Sequence, residues 1–383
     1  MTTNSLTIGF DAKRIVRNGT GLGSYGRTLV NDLAHYPINL HLYAPDKGRD
    51  DLRSQITNSE HISFHIPGQA KRQSRAPHST FLGKSYWRSH GIINDLKHDR
   101  VQLYHGLSGE LPIGIRNSGI KSVVTIHDLI FLRHPEFYHW LDTKIYAWKF
   151  RQTLREADHI IAISECTKRD IMELGNVPED KITLIYQSCS PRFNITRPSN
   201  VAGDLQSPTR YILSVGSIEA RKNILLAVKS LPYLPSDISL VIVGRHTKYT
   251  DEVIAYAKEH QLDHRIKILH GVPDTDLPAL YAGAEAFVYP SVYEGFGIPI
   301  IEAIGCGLPV VACTGSCLEE AGGPDSLYVA PDDVLGMADA IRSVLKGAEG
   351  REQRIEASRE YIRRFDSKDV AGQVVELYNK ILR

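Results

Sequence analysis

Two carboxylates eight residues apart, Glu294 and Glu302, bracket a glycine-rich turn in the segment PSVYEGFGIPIIEAIGCGLPVV at 290–311. Gly295 and Gly297 flank Phe296 and let the backbone approach a ligand closely, and Ile298 follows where a helix must begin. Glu302, one or two turns into that helix, points back toward the same ligand because helical side chains tilt toward the N-terminus. A carboxylate can accept two hydrogen bonds from vicinal hydroxyls, so one acid could hold a sugar and the other a ribose. The competing explanation is a charge at a helix N-terminus plus a buried structural ion pair.

A second constellation is SVGSIEARKN at 214–223, where Ser217 follows a strand and Arg221 and Lys222 enter the first turn of a helix, ILLAVKSL. Cations there oppose the helix dipole. They make sense if they neutralise an anion such as a pyrophosphate, each charge-assisted bond contributing roughly 1.5–3 kcal/mol; a solvated pair is the alternative. The segment NGTGLGSYGR at 18–27 sets Gly21, Gly23 and Gly26 ahead of another helix, which suits an anion cradle or a flexible turn. With Asp46 twenty residues after Gly26, it also matches a dinucleotide fingerprint, although DAKRIVRN separates the first strand from Gly19 where that fingerprint needs direct continuity. His127 and Asp128 end a strand where packing would favour an apolar residue; such a histidine is either a structural one or a ligand contact. No grouping has metal-ligand spacing. Asp274 and Asp276 form D-T-D in a loop entering a helix, where N-capping accounts for them, so Arg221 and Lys222 are expected to replace a metal on the diphosphate.

The elements that must position these residues form an α/β pattern, with short apolar runs alternating with amphipathic stretches. Strands are expected at 6–10, 38–44, 62–66, 101–106, 121–128, 159–164 and 182–186, with helices such as 24–36 and 164–174, the latter capped by Ser164. A second series restarts at 211–217 and continues at 238–244, 266–272, 286–291, 308–314 and 326–330. Between the series, 188–210 is rich in Pro, Ser and Asn and reads as a linker. Two Rossmann-like domains facing one cleft follow, and the chemistry-bearing residues fall after strands, where ligands of such sheets bind.

Composition narrows the class. A chain of 383 residues with 42% hydrophobic and 23% charged residues excludes disordered and fibrous proteins. No apolar run approaches the ~18 residues of a membrane span, and the N-terminus lacks a basic segment followed by an apolar one, so a cytoplasmic location is expected. Five cysteines without a C-x-x-C pair indicate neither a disulfide framework nor a zinc site. The net charge of +1 hides 26 Lys and Arg against 19 Asp and Glu in residues 1–200, and 19 against 25 in the remainder. The basic half points to a phosphorylated substrate or an acidic membrane surface rather than nucleic acid, or to dispersed solvated charge. Much of it lies in 71–92, where five Lys and Arg mix with Phe81, Tyr86 and Trp87; this stretch is either a solvated loop or a contact with the inner membrane and a lipid-linked acceptor.

The string EGFGIPIIE, together with SIEARKN and TIHDL, resembles the retaining group 1 glycosyltransferases, or glycosyltransferase family 4, across essentially the whole chain. The resemblance implies the GT-B fold: Rossmann-like domains at 1–190 for the acceptor and 205–365 for the nucleotide sugar, and a C-terminal helix, 366–383, that crosses back onto the first. It implies a nucleoside diphosphate sugar donor, a glycan acceptor and no cofactor. Glu294 would contact the donor sugar, Glu302 the ribose, Arg221 and Lys222 the diphosphate, His127 the transferred sugar, and the backbone near Gly271 and Val272 the base. YQSCSPRF departs from the Asn-Gly usual in relatives at the hinge. The HDL and EGFGIPIIE forms are similar to bacterial mannosyltransferases of O-antigen and capsule assembly, which implies GDP-mannose. A sugar-nucleotide epimerase or a binding module on the same fold, and a nicotinamide dehydrogenase, are the other classes compatible with the pattern.

Overall fold

The computed structural model describes residues 6–67, 81–194, 208–365 and 367–383. The chain divides into two units, Met1–Ser188 with Ser367–Arg383, and Cys189–Asp366.

The first unit is built on seven strands, β1 (Leu6–Asp11), β2 (Ile38–Tyr43), β3 (Ile62–His65), β4 (Leu103–Gly106), β5 (Lys121–Ile126), β6 (His159–Ala162) and β7 (Ile182–Leu184), in the order β3-β2-β1-β4-β5-β6-β7. Every pairing is parallel. The second unit has β8 (Tyr211–Val215), β9 (Ser239–Val243), β10 (Ile266–Leu269), β11 (Ala286–Tyr289), β12 (Val310–Cys313) and β13 (Leu327–Val329), ordered β10-β9-β8-β11-β12-β13, again all parallel. Both orders reverse direction after the first strand of the series, the doubly wound arrangement that places ligand sites beyond the strand ends. Central strands such as β4, β6, β11 and β12 are buried along their whole length. Parallel strands covered by helices on both faces read as continuous apolar runs, which is why these central strands were visible in the sequence.

The C-terminal helix Ser367–Leu382 completes the core of the first unit. Val370, Ala371, Val374, Leu377 and Tyr378 pack with Ile8, Phe10, Leu29 and Leu33. Tyr378 also reaches the fully buried His105, whose Nδ1 lies 2.6 Å from the Tyr378 hydroxyl and whose Nε2 lies 2.8 Å from Thr125 Oγ1.

Three local expectations change. The helix expected at 24–36 runs Gly21–Leu33, so Gly21 and Gly23 lie inside it with Gly26 rather than ahead of it. A Cβ on Gly23 would sit 1.8 Å from the Asn18 carbonyl oxygen, and one on Gly26 would sit 2.8 Å from Ile15, so these two glycines let the helix pack closely against the short helix Lys13–Arg17. Arg221 and Lys222 occupy a 3-10 turn, Ala220–Lys222, and left-handed Asn223 (φ 52°) separates them from the helix Ile224–Ser230. Asp276 holds the N-cap position of helix Leu277–Gly283 but its side chain makes no capping bond. Ser164, by contrast, caps helix Glu165–Gly175 by accepting from the Thr167 N–H at 2.9 Å.

Of the basic aromatic stretch 71–92, residues 71–80 lie outside the described residues, as do 195–207 of the linker. Trp87 is buried and donates from Nε1 to Asp95 at 2.7 Å, so it packs inward, whereas Tyr86 is exposed. Among the described residues no helix is long and apolar enough to cross a membrane.

Candidate functional site

In the second unit, Arg221 and Lys222 from the turn after β8 converge on Glu294 from the turn after β11. These are the two strands that pair at the centre of the sheet. Glu294 Oε1 lies 2.9 Å from Arg221 Nη1 and is also ion-paired to Lys222 Nζ. Lys222 donates to the Tyr289 hydroxyl at 2.6 Å and lies over the Tyr289 ring, 4.8 Å from its centroid. The turns are locked together by the Val292 N–H donating to the Arg221 carbonyl at 2.8 Å. Lys222 and Glu294 are each only 8% exposed, so the cluster is charged but shielded from water. Burial alone would raise the Glu294 carboxyl; the Lys222 ammonium and Arg221 guanidinium outweigh it and hold the group at about 2, so the carboxylate is ionised at any physiological pH. Tyr289, at the end of a strand that reads as plain apolar sequence, carried no signal of this role.

Gly297, with φ 117°, opens the helix Ile298–Gly305. That backbone conformation is easy only for glycine. Phe296 does not present itself to a ligand: it is 3% exposed and meets Phe365 edge-on at 5.2 Å. Cys317 Sγ donates to the carbonyls of Glu294 and Phe296, at 3.1 and 2.9 Å, and so fixes the turn from behind. Gly295 and Ile298 remain partly exposed on it.

Glu302 meets other neighbours. Tyr281 donates to its Oε2 at 2.9 Å, and burial pushes the carboxyl up to about 7. The two acids of the motif therefore have opposite electrostatic states, one permanently ionised and one poised at neutrality. Gly271 and Val272 lie in the loop after β10, with open space beside Gly271 (φ 65°). Ser217 follows β8, where Gly244 approaches the Gly216 carbonyl so closely that a Cβ would lie 2.0 Å from it; Gly244 is a further position that the sequence did not single out.

In the first unit, His127 follows β5 and is held on three sides. Its Nε2 donates to the Leu107 carbonyl at 2.8 Å, its Nδ1 accepts from Gln187 Nε2 at 2.7 Å, and Tyr25 packs against the ring at 4.8 Å. Burial lowers the imidazole to about 4, so it is neutral, with the proton on Nε2. It lines a pocket with Arg14, Asp128, Glu110, Tyr146 and Lys149. Lys149 pairs with Glu110 at 2.9 Å, and Arg88 bridges Glu110 and Asp11. Apart from Asp128, this charged lining was not recognised in the sequence. Gly21 faces open space, whereas Gly23 is filled against Asn18. Asp46, the residue that a dinucleotide site would need for a ribose, is engaged by Arg17 and Lys84.

Among the described residues, His41, His65 and Asp99 are the group whose donor atoms lie closest to metal-binding distances. The two imidazoles are stacked at 4.7 Å with planes 16° apart.

Two family profiles match: Glycosyltransferase Family 4 over residues 19–190 and Glycosyl transferases group 1 over 200–361. The chain is 32% identical over 285 residues to O-antigen chain mannosyltransferase B of Escherichia coli, an alignment covering 72% of this chain and 74% of that protein. It is 26% identical over 361 residues to O-antigen chain mannosyltransferase RfbU of Salmonella typhimurium, covering 94% and 96%. Among solved structures, sucrose-phosphate synthase of Thermosynechococcus elongatus superposes with a TM-score of 0.76 at 20% identity, over 98% of this chain and 99% of that one. The fold, the ionic cluster at the ends of β8 and β11 and these relatives agree: the chain belongs to the group 1 glycosyltransferases, glycosyltransferase family 4.

Proposed function

We propose that this glycosyltransferase moves mannose from GDP-mannose, with retention of configuration and without a metal or other cofactor, onto a hydroxyl of a growing lipid-linked O-antigen glycan on the cytoplasmic side of the inner membrane. The observation that carries the reading is the buried cluster of Arg221, Lys222 and Glu294. Arg221 and Lys222 meet on the Glu294 carboxylate, with Glu219 Oε2 a further 3.6 Å from Arg221 Nε; a pair of cations held side by side in this way suits a diphosphate whose negative charge grows as the bond to the sugar breaks. The two mannosyltransferase relatives support the sugar and the glycan class.

In this reading Glu294 accepts hydrogen bonds from donor-sugar hydroxyls, Glu302 holds the ribose, and the backbone at Gly271 and Val272 meets the base. The bond from the anomeric carbon to the diphosphate oxygen breaks, the bond to the acceptor oxygen forms on the same face, and the acceptor proton passes to the departing diphosphate. His127 supports the sugar through its backbone carbonyl rather than acting as a base. With Nε2–H given to Leu107 and Nδ1 occupied by Gln187, its ring has no lone pair ready to take a proton.

The test is product formation by the purified protein from a panel of sugar nucleotides, with and without EDTA, and the anomeric configuration of the product by proton NMR. GDP-mannose turnover that survives EDTA and yields an α-linked product is expected. A strict metal requirement, a β-linked product or transfer only from a uridine nucleotide would each overturn the corresponding part.

A further inference from the structure

Five of the exposed large apolar side chains in the described residues lie within nine residues at the start of one helix, Trp140–Glu156: Trp140 (63% exposed), Leu141, Ile145, Tyr146 and Trp148 (57% exposed). The helix is anchored by Ala147, Phe150 and Thr153, which are buried. On the opposite side, at helical spacing, Trp140, Lys144, Trp148 and Arg151 form one row, flanked by Leu141, Ile145 and Arg155. This outward face carries three cations and no carboxylate. Asp142 points off to one side and Glu156 is buried. Lys144 lies over the Trp140 ring at 4.9 Å, so charge and aromatic surface are interleaved rather than segregated.

An apolar face that awaited a partner protein or a second copy would need acidic residues on that partner to meet three cations. A bilayer supplies both requirements at once: an interface that takes up tryptophan rings and a layer of anionic headgroups. We propose that the outward face of helix Trp140–Glu156 docks the first unit onto an anionic lipid surface.

The docking has a structural consequence for the pocket beside His127. Tyr146 and Lys149 line it from the same helix. A bilayer seated on the outward face therefore lies one helix diameter from a pocket that, on the functional reading above, receives the glycan of a lipid-linked acceptor. The placement of the acceptor rests on that reading; the docking itself does not.

The experiment is sedimentation of the full chain with vesicles of phosphatidylcholine, alone or with about one third phosphatidylglycerol. The expected result is several-fold stronger partitioning to the anionic vesicles and a blue shift of tryptophan emission on binding. Trp140→Ser with Trp148→Ser should weaken partitioning at least tenfold, while Lys144→Glu with Arg151→Glu should abolish the preference for anionic lipid. Both variants should keep wild-type melting temperatures and wild-type transfer to a soluble acceptor, because none of these residues lines the pocket. Absence of wild-type binding to either vesicle, or binding indifferent to both double substitutions, would overturn the proposal. So would a concentration-dependent dimer that the tryptophan substitutions dissociate, which would make a second copy the occupant. Failure of the vesicle result with intact transferase activity would refute the docking and leave the enzymatic reading standing; the converse outcome would separate them the other way.

Discussion

The two units share a sheet order and handle polar groups at their strand ends in opposite ways. In the second, the turns after β8 and β11 bury an ion cluster, Arg221, Lys222 and Glu294, in which full charges are retained and mutually compensated. In the first, the turn after β5 buries His127 in its neutral form, with both ring nitrogens committed to uncharged partners. A buried charge persists only when paired, and a buried neutral imidazole only when its nitrogens are hydrogen-bonded. On the proposed function, the ion cluster of the second unit meets the diphosphate, and the neutral His127 of the first meets the hydroxyl-rich sugar.

The comparison can be broken most directly at Lys222. Lys222→Ala should lower kcat by roughly 10² to 10³, near 3–4 kcal/mol of transition-state stabilisation, and weaken nucleotide binding as measured by calorimetry. Glu294→Gln should also slow turnover yet tighten binding of the free nucleotide diphosphate, since it removes the carboxylate that Arg221 and Lys222 share and leaves Glu219 beside Arg221 alone; weaker binding would show that the carboxylate does not hold the cations in balance. On the other side, His127→Ala keeps the backbone carbonyl but removes the ring's bonds to Leu107 and Gln187 that hold it in place; it should lower kcat by about 10- to 100-fold while leaving the nucleotide dissociation constant unchanged, and a parallel rise in that constant would contradict the division of labour.

A pH series sharpens the contrast further. His105 and His127 have folded-state values lowered to about 3 and about 4, below the ordinary 6.5, chiefly by burial. The unfolded chain therefore binds more protons between these limits. Stability of the first unit should be fully present above pH 6.5 and fall as pH drops toward 4, with a slope approaching about 1.4 kcal/mol per pH unit for each histidine. Denaturant titrations at several pH values would measure it, and His105→Gln should remove one proton from the slope. Glu302 runs the other way. Raised to about 7 by burial, it accepts through both oxygens from ribose hydroxyls only once ionised, so nucleotide affinity should rise by up to about tenfold from pH 6 to pH 8. Glu302→Gln should flatten that dependence.

The smallest effects separate two adjacent glycines. Gly23→Ala forces a methyl against the Asn18 carbonyl and should cost about 1–3 kcal/mol by thermal melting, whereas Gly21→Ala meets open space at a helix start and should be neutral or stabilise by up to about 1 kcal/mol.

What was legible in the sequence follows the same physics. The central strands showed themselves because parallel strands covered on both faces leave uninterrupted apolar runs, whereas β2, β3 and β10, toward one edge of each sheet, showed themselves by alternation of apolar and polar residues. The acids and cations of the second unit could be named because charged residues at strand ends have little packing reason to be there. Their pairing could not be read, since Glu294 meets Lys222 only through the fold, 72 residues away. Gly23 misled because glycine signals turn and close helix contact equally well, and only the position of Asn18 distinguishes them. Trp87 and the tryptophans at 140 and 148 are the same letter, yet Asp95 draws the first inward while the other two stay exposed among the described residues.

The helix Ser367–Leu382 has a consequence for biosynthesis. The second unit is one uninterrupted stretch of chain, Cys189–Asp366, while the first waits for the helix Ser367–Leu382, which is made after the whole of the second. During vectorial synthesis at roughly 5–20 residues per second, the half that leaves the ribosome first is thus the half that finishes last, its Ile8, Phe10 and Leu33 surface open until Val374, Leu377 and Tyr378 arrive. A nascent chain of this topology keeps apolar surface open on its older half for longer than on its younger one.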